Sequence, residues 1–550
     1  MRSLELSEFI LTRLETRPRV AQSPPGELRA EALPIAVPPS PPPSDEDGRG
    51  VPLHRQIYRI VRIAILERRL LPGVRLPSTR DLSADLGVSR NTVIAAINEL
   101  LAEGYLVARR GSGTYVAANL PDTTSADPQW LAAASPLADT AAPTAGRSLS
   151  ARGRVLTSRS GAEHSEVQPF VPGVLDVPEF PFQVWARLQA RYWRYLDRNL
   201  LDYGNAGGYV PLRRAIAQQL ALSRGVRVTP EQVLITSGTQ QAIDLSARLL
   251  TDPGDIAWTE DPCYWGALRA LQAANLELHP VPVDEQGLAP RPEDWARTPR
   301  LIYVTPSHQY PLGHVMSLAR REALLAYAAD AGAWIFEDDY DNEVHYTTKP
   351  FAALQGMDRH GRVIYAGTFS KVMYPGVRLG YLVVPPDLVR AFDTGLYDLY
   401  RPGQLILQAA LTDFINEGHM AALIRRLRVA YKSRRDMLAE EIRAAVGAQV
   451  HISGTDAGLH LCVSFRDPAI DDVALADLLG QARLQVRPLS SYFAGHSRSS
   501  GLVIGYAYVP EERIRPWGEK LGALIREFLS APDDARLAAR PPSRSGERVA

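Results

Sequence analysis

Short apolar runs that alternate with helical patterns constrain the fold of this chain more than any other feature. Between residues 168 and 530 the sequence contains the runs QVLIT, LIYVT, AWIFE, RVIYAG and RLGYLVV, separated by segments long enough for helices. A strand that is apolar along its whole length is typical of a parallel sheet, because helices cover both faces of such a sheet. The pattern predicts an α/β domain over residues 168–530, with a mostly parallel sheet and helices on both faces.

Low-complexity stretches divide the rest of the 550 residues. The segment AVPPSPPPSDEDGRG, at 36–50, is proline-rich and then acidic, so it cannot build a core. We therefore predict an N-terminal extension over 1–50, with one short amphipathic helix in its first 20 residues and a disordered proline-rich part. Residues 119–167 are rich in Ala, Ser, Thr, Asp and Pro and are predicted to be a flexible linker, and 531–550 a disordered tail.

Charge is distributed unevenly although the chain is neutral overall. Residues 51–118 hold ten arginines against five acidic residues, a local excess that indicates a nucleic-acid partner. The only cysteines are Cys263 and Cys462, too few for a disulfide framework and without metal-ligand spacing, which favours a reducing cytoplasm and no metal. No apolar run approaches the ~18 residues of a membrane span, and the N-terminus lacks the pattern of a secretory signal.

Residues 51–118 contain the helix caps and turns that are typical of a winged helix-turn-helix. Ser78 is placed to cap a second helix, Gly87 to make the tight turn after it, and Ser89 to cap a third helix. The stretch YLVARRGSGTYVA predicts two short strands around a glycine turn. Each of the three predicted helices has apolar residues at helical spacing, and these positions are Ile57, Val61, Ile65, Leu66, Leu82, Leu86, Val93, Ile97, Leu100 and Leu101.

The third helix of such a module lies in the major groove with its first residues against base edges. Arg90 can then read guanine and Asn91 adenine through bidentate hydrogen bonds. The alternative is an ordinary helical surface with solvated arginines. The predicted DNA-facing set is Arg75, Ser78, Thr79, Arg80, Ser89, Arg90, Asn91, Thr92, Arg109, Arg110 and Gly113. The stretch RLPSTRDLSADLGVSRNTVIAAINELLAEGYLVARRGSGTYV resembles the head of the GntR regulator family, which implies double-stranded DNA as a partner.

The stretch GTFSKVMYPGVRLGY contains Lys371, a candidate for a Schiff base with an aldehyde cofactor. Asp338 ends the strand-like run AWIFE, and a carboxylate at the carboxyl end of a parallel strand lies where ligands bind. It could hold the ring nitrogen of pyridoxal 5′-phosphate, and Tyr340 could reach the phenolic oxygen. Each of these signals alone has an ordinary explanation. Lys371 could be a solvated lysine, and Asp338 and Tyr340 could belong to an acidic surface loop.

A phosphate cradle and a ring partner are also present in the sequence. The stretch TSGTQQAID passes from a strand into a helix, whose first amides can bind phosphate. Tyr264 follows a proline turn and could stack on the pyridine ring, although it could equally fill a core. The predicted phosphate site consists of Gly238, Thr239, Gln240, Thr368, Ser370 and Arg378.

The order of these residues, together with DYGNAGGYVPLRRAIAQQLALSRG and TPSHQYPLG, resembles the fold-type I aminotransferases. The resemblance implies pyridoxal 5′-phosphate as cofactor and a smaller C-terminal α+β subdomain. It also implies a homodimer, since the tyrosine that matches Tyr203 reaches the phosphate in the neighbouring subunit. With the GntR-like head, the chain resembles the MocR subgroup of regulators.

Two departures from the aminotransferase pattern concern the ligand. Tyr310 stands where those enzymes carry the asparagine of an NPxG turn, and His308 or Gln309 could substitute for it. No arginine falls clearly at the place that binds a substrate carboxylate; Arg487 and Arg498 are the candidates.

Three hypotheses about function follow. The first is a transcriptional regulator whose body forms an internal aldimine with the cofactor at Lys371 and senses an amino acid, an amine or the cofactor itself. The second is an active aminotransferase with a DNA-binding head, in which Lys371 moves protons. The third is a body that only dimerises. The missing carboxylate arginine favours the sensor, but the same residues serve the first two hypotheses, so catalysis stays open.

Overall fold

The computed structural model describes residues 3–14, 52–109, 112–118, 120, 149–157, 168–195, 197–204, 207–341, 343–346, 352–401, 403–495 and 499–531. They belong to two compact units, 1–147 and 148–550. The predicted proline-rich segment, most of the predicted linker, the predicted tail except Ala531, and the side chains of Arg110 and Arg498 lie outside the described ranges. Within those ranges, no helix has the length and apolar character needed to cross a membrane.

The first unit contains a winged helix-turn-helix. Its elements are α1 (Ser3–Leu11), α2 (Leu53–Leu66), α3 (Thr79–Leu86), α4 (Arg90–Ala102), β1 (Leu106–Arg109) and β2 (Gly113–Val116), and the two strands pair antiparallel. The Ser78 hydroxyl accepts from the Asp81 amide at the start of α3, and Ser89 does the same for Thr92 in α4. Gly87, with φ +62°, ends α3. The predicted caps and turn are therefore present.

The core of this unit includes a helix that lies far away in sequence. Most of the predicted apolar positions of α2, α3 and α4 are buried, but Leu66 is 39% exposed and lies off the apolar face. Leu6 and Ile10 of α1 join the same core, and the Ser7 hydroxyl donates to Asp85 of α3 at 2.7 Å. Helix α1 therefore completes the apolar surface that α2 and α3 alone would leave open.

The second unit is built on an eight-stranded sheet in the order β3-β10-β9-β8-β7-β4-β5-β6. The strands are β3 (Val233–Thr236), β4 (Ile256–Asp261), β5 (Glu277–Asp284), β6 (Gly287–Leu288), β7 (Leu301–Val304), β8 (Trp334–Asp338), β9 (Val363–Thr368) and β10 (Gly380–Val383). The four pairings from β9 through β8, β7 and β4 to β5 are parallel, and the outer pairings are antiparallel. The mostly parallel sheet is confirmed.

Neighbouring residues of one strand enter different cores, because side chains alternate across a sheet. Leu234 and Ile364 belong to one buried cluster, whereas Ile235 and Tyr365 belong to another. The helices that cover the faces and connect the strands are α5 (Ala151–Thr157), α6 (Phe182–Arg194), α7 (Val210–Arg224), α8 (Thr239–Leu250), α9 (Trp265–Ala273), α10 (Leu318–Ala331), α11 (Leu354–Met357), α12 (Val389–Tyr400) and α13 (Leu405–Asn416). Both faces are covered, as the apolar runs predict.

A long helix, α14 (His419–Val446), leads into the smaller C-terminal subdomain. This subdomain has a four-stranded antiparallel sheet in the order β11-β12-β14-β13. Its elements are β11 (Val450–Ser453), β12 (His460–Phe465), α15 (Asp472–Gln481), β13 (Arg487–Pro488), β14 (Gly501–Gly505) and α16 (Glu511–Ser530). The implied α+β subdomain is present. One local difference concerns α5, which forms a helix inside the stretch predicted to be a flexible linker; its sequence, ARGRVLT, contains no proline.

Candidate functional site

Three of the predicted cofactor residues lie at or just after the carboxyl ends of β4, β8 and β9 of the large sheet. Asp338 is the last residue of β8, Lys371 comes three residues after β9, and Tyr264 comes three residues after β4. Strands β4, β7, β8 and β9 run parallel, so these residues emerge at the same edge of the sheet. The carboxyl edge of an open parallel sheet is the usual ligand site of such folds.

Lys371 is held by a loop that precedes α6. Its Nζ donates to the Gly173 carbonyl at 3.1 Å, and a Cβ on Gly173 would lie 3.3 Å from that nitrogen. Burial lowers the pKa of Lys371, while the negative charges of Asp341 and Asp338 oppose this shift. An amine with a lowered pKa is more readily deprotonated, which is what attack on an aldehyde requires.

Asp338 offers one carboxylate oxygen to a ligand. Its Oδ2 accepts from the Tyr303 hydroxyl at 2.7 Å, whereas Oδ1 is buried and has no hydrogen-bond partner among the described residues. Burial raises the pKa of Asp338 to about 7. A buried polar atom without a partner is costly in a folded protein. A ring nitrogen that carries a proton would satisfy it, so Asp338 fits the predicted cofactor.

The start of α8 and Arg378 lie together, as a phosphate cradle requires. Gly238 caps α8 with φ +98°, and a Cβ on it would lie 3.7 Å from Arg378 Nη1. The free amides of a helix N-terminus and a guanidinium both favour an anion. The Gln240 side chain donates to the Gly266 carbonyl at 2.8 Å, so Gln240 can offer phosphate its backbone amide but not its side chain.

The loop that carries Lys371 supplies two hydroxyls. Thr368 Oγ1 accepts from the Ser370 amide at 3.2 Å and lies 3.4 Å from the Leu379 carbonyl. Ser370 Oγ is buried, and no described residue forms a hydrogen bond with it. A phosphate oxygen is an acceptor that this hydroxyl could use. Ser370 Oγ is therefore, like Asp338 Oδ1, a buried polar atom that the predicted cofactor could satisfy.

Tyr310 is the centre of an aromatic cluster beside these groups. Its ring packs edge-on against Tyr264 and Tyr340, with centroids 5.9 Å and 5.7 Å away, and its hydroxyl lies 3.1 Å from that of Tyr492. Burial raises the pKa of Tyr310, and the positive charge of Arg487 opposes that shift. Tyr310 therefore joins the predicted ring partner to the predicted phenol donor, with Arg487 in electrostatic range.

Of the two proposed substitutes for asparagine, only His308 reaches a site residue. Gln309 Nε2 donates to the carbonyls of Pro262 and Tyr310, both at 2.8 Å, which stabilises the loop itself. His308 Nδ1 instead lies 3.0 Å from the Tyr340 hydroxyl and 2.8 Å from Asp341 Oδ2.

Tyr203 lies on the surface. It is 56% exposed and lines a cavity of about 670 Å³ between the end of α6 and the segment before α13. Trp193, Leu201 and Leu405 line the same cavity, and Trp193 is itself exposed. Exposed aromatic side chains beside a cavity, such as Trp193 and Tyr203, are typical of an interaction site.

Behind the site, the loop after β8 contains the buried Glu343. Burial raises its pKa to about 8, so at neutral pH the folded protein keeps this group mostly protonated. The protonated Glu343 side chain contributes to the free energy of unfolding. This contribution is complete below the pKa of a glutamate in the unfolded chain, about 4.3, and is lost as the pH rises through about 8.

We therefore expect Glu343→Gln, which has no proton to lose, to reduce the fall in melting temperature between pH 6 and pH 9. One titrating group contributes up to about 1.4 kcal/mol per pH unit to this slope. Thermal unfolding of wild type and variant over that range measures it, with the exposed Glu322→Gln of α10 as control. Parallel curves for wild type and Glu343→Gln would contradict the prediction.

Part of the predicted DNA-facing set lies at the starts of α3 and α4. Arg90 and Asn91 are exposed at the start of α4, and Arg90 Nε lies 3.5 Å from Thr79 Oγ1 across the turn. The hydroxyls of Ser78 and Ser89 accept from backbone amides as helix caps. Their assignment as DNA contacts remains a prediction.

The wing brings further arginines to the same unit. A Cβ on Gly113, which has φ +119°, would lie 2.9 Å from Arg75 Nε, so the absence of a side chain there leaves room for this guanidinium. The Arg109 guanidinium lies 4.8 Å from the centroid of the Tyr115 ring. Arg80 is exposed at the start of α3.

Comparisons with known proteins agree with this two-part construction. Residues 53–116 match the family described as bacterial regulatory proteins, gntR family, and residues 173–516 match aminotransferase class I and II. The probable rhizopine catabolism regulatory protein MocR of Rhizobium meliloti is 40% identical over 489 residues, which cover 88% of this chain and 96% of that protein. The chain belongs to the MocR group of GntR-type transcriptional regulators.

Other relatives cover the same MocR-type architecture. The pyridoxine biosynthesis regulator PdxR of Corynebacterium glutamicum is 32% identical, over 88% of this chain and 96% of that protein. Among solved structures, a kynurenine aminotransferase of Pyrococcus horikoshii with bound PMP has a TM-score of 0.62 and 26% identity, covering 67% of this chain and 93% of that one. The fold-type I aminotransferase body is therefore confirmed.

Three site residues were missed in the sequence. Gly173, Tyr303 and Asp341 contact Lys371, Asp338 and His308 respectively. Asp341 stands in the acidic run EDDYDNE, which was a visible signal. Gly173 and Tyr303 gave none, because only the folded chain brings them to residues far away in sequence.

Proposed function

We propose that the aminotransferase-like unit of this MocR-type regulator holds pyridoxal 5′-phosphate at Lys371 and senses an amino acid, an amine or the cofactor itself. The observation that carries the proposal is the buried, unpartnered Oδ1 of Asp338 at the same sheet edge as Lys371. The match to an aminotransferase structure that contains PMP supports it. So does the relative PdxR, whose name assigns it to pyridoxine biosynthesis.

Each residue of the site has a part in this proposal. When bound, the cofactor supplies an aldehyde that reacts with amines and a ring that withdraws electrons. Asp338 would hold a proton on the ring nitrogen, and Lys371 would bond to the aldehyde. Tyr264 would cover the ring, and Tyr340 would reach the phenolic oxygen. The phosphate would be held by the amides of Gly238, Thr239 and Gln240 and by Thr368, Ser370 and Arg378.

The proposal includes a homodimer, which the exposed position of Tyr203 supports. Its exposed side chain and the neighbouring cavity offer an apolar surface that a second copy could cover. Tyr203 would then reach the phosphate in the partner subunit, as the resemblance to aminotransferases implies. Two heads on linkers of about 50 residues would read two half-sites with flexible spacing, in the cytoplasm.

The second candidate function is an active aminotransferase. The lowered pKa of Lys371 favours it, because the same amine could move a proton within a bound substrate. Against it, β14 contains no arginine that could bind a substrate carboxylate, although Arg487 on β13 is in electrostatic range of Tyr310 and Tyr492. The lack of an arginine on β14 favours sensing over turnover.

The experiment uses the full chain and a DNA fragment selected by it from a random pool. DNA affinity is measured with and without pyridoxal 5′-phosphate, and then with a panel of amino acids and amines. A sensor requires one ligand that changes DNA affinity about 5-fold or more, with the reciprocal effect of DNA on ligand affinity and no continuous release of keto acid. Continuous release would support the aminotransferase, and failure to bind the cofactor would refute both.

A further inference from the structure

A buried histidine lies within hydrogen-bond distance of Tyr340, the predicted donor to the phenolic oxygen of the cofactor. His308 is 2% exposed, and its Nδ1 faces two oxygens, the Tyr340 hydroxyl at 3.0 Å and Asp341 Oδ2 at 2.8 Å. A single ring nitrogen serves one of them well at a time. With a proton on Nδ1, His308 donates to Asp341, the carboxylate that would otherwise accept from the Tyr340 hydroxyl. Without one, Nδ1 accepts from Tyr340 and so removes the proton that Tyr340 could offer elsewhere.

Packing holds this imidazole from both subdomains. A Cβ on Gly458, which has φ +88°, would overlap His308 Cε1 and come within 2.9 Å of Asp341 Oδ2. A Cβ on Gly313 would lie 3.1 Å from His308 Nε2. Two loops without side chains at these points therefore enclose the ring, one following β7 and the other preceding β12 of the small subdomain.

A second histidine fixes the other side of the cluster. The His460 ring lies 5.5 Å from that of His308, and its Nε2 donates to the Pro311 carbonyl at 3.0 Å. Burial lowers the pKa of His460 to about 4, so this ring is neutral at ordinary pH. Because His460 is neutral, Asp341 is the charged group in contact with His308.

We infer that His308 is a positioning residue for the cofactor site: it donates from Nδ1 to Asp341, and thereby leaves the Tyr340 hydroxyl free to donate to the phenolic oxygen of the cofactor. This inference rests on the proposed binding of pyridoxal 5′-phosphate. It gives His308 an indirect part in holding the phenolic oxygen, which Tyr310, in the place of the usual asparagine, has no amide to hold. Because Gly458 and His460 belong to the small subdomain, movement of that subdomain would reach Tyr340 through this imidazole.

The test compares wild type, His308→Phe, Tyr340→Phe and the double variant, each loaded with pyridoxal 5′-phosphate. Absorption near ~420 nm is followed against pH, because a hydrogen bond to the phenolic oxygen changes the pH at which this band is lost. We expect each single change to move the midpoint by about one pH unit. The double variant should match Tyr340→Phe, since His308 acts only through that phenol.

Two further variants separate positioning from structure. His308→Gln keeps a polar group near Tyr340 and provides a second test where His308→Phe fails to fold. The exposed His451→Phe of β11 controls for the loss of any histidine. The groups near His308 that could titrate are Tyr340, Asp341, His460 and His314, with Lys371 next to Asp341.

An unchanged midpoint in both His308 variants, or additive effects in the double variant, would overturn the inference while leaving cofactor binding intact. Absence of the band in wild type would instead refute the proposed function and this inference with it. A shift in the His308 variants that disappears in the Tyr340→Phe background supports the inference.

Discussion

Lys371→Ala is expected to abolish the absorption band near ~420 nm that the wild-type protein acquires with pyridoxal 5′-phosphate. The band reports a covalent bond between an amine and the cofactor aldehyde, and Lys371 is the lysine placed beside Asp338 and Gly173. Its burial lowers the pKa and so favours the reactive form. Removal of the amine leaves nothing at this position to form the bond, so the expected loss is complete.

The chain offers a matched control in Lys432→Ala. Lys432 is exposed on α14 and pairs with Asp436 at 3.0 Å, one turn away. Its removal should leave the band unchanged. Lys371→Arg adds a second comparison, because it keeps a positive charge but cannot form the covalent bond. A band of normal intensity in Lys371→Ala would mean that another amine holds the cofactor.

The Lys371→Ala variant also tests whether DNA binding is independent of ligand sensing. DNA affinity of Lys371→Ala in the absence of cofactor should equal that of wild type, because the head folds in a separate unit. Its response to cofactor and amines should disappear, since a ligand can shift an equilibrium only through differential affinity for two states. Absorption and DNA titration on one preparation measure both effects.

Residues at the ends of strands were the part of the site that the sequence could predict. Asp338 and Lys371 each follow an apolar run, and parallel strands bring such ends together, whereas Tyr264 was predicted from the proline turn before it. The caps of α3 and α4 were predictable for a similar reason, because Ser78 and Ser89 act on amides only a few residues away. In both cases local pattern and geometry coincide.

Contacts across long stretches of sequence were not predictable. The Gly173 carbonyl meets Lys371 across 198 residues, and Ser7 of α1 meets Asp85 across 78 residues. The choice between His308 and Gln309 also needed the folded loop, since both side chains are polar and adjacent. Tyr310 shows the reverse case: its departure from the asparagine pattern was visible, but its place at the centre of the aromatic cluster was not.

The second large effect is expected in the DNA-binding head, for Asn91→Ala. Asn91 is exposed at the start of α4, where a helix-turn-helix places residues that read bases. An asparagine that bonds to adenine contributes about 1–3 kcal/mol of discrimination, so affinity for the selected DNA should fall roughly 5- to 150-fold. Affinity for unrelated DNA should barely change, because no charge is lost.

Arg80→Ala provides the opposite signature. Arg80 is exposed at the start of α3 and is predicted to meet phosphate, so its loss should weaken binding to all sequences alike and reduce the salt dependence by about one counterion. Arg59→Ala, an exposed arginine of α2 outside the predicted DNA-facing set, is the control. Binding is measured by fluorescence anisotropy at several salt concentrations, with selected and scrambled DNA. If Asn91→Ala lowers affinity equally for both DNAs, α4 does not read bases through this residue and its start lies on the phosphate backbone instead.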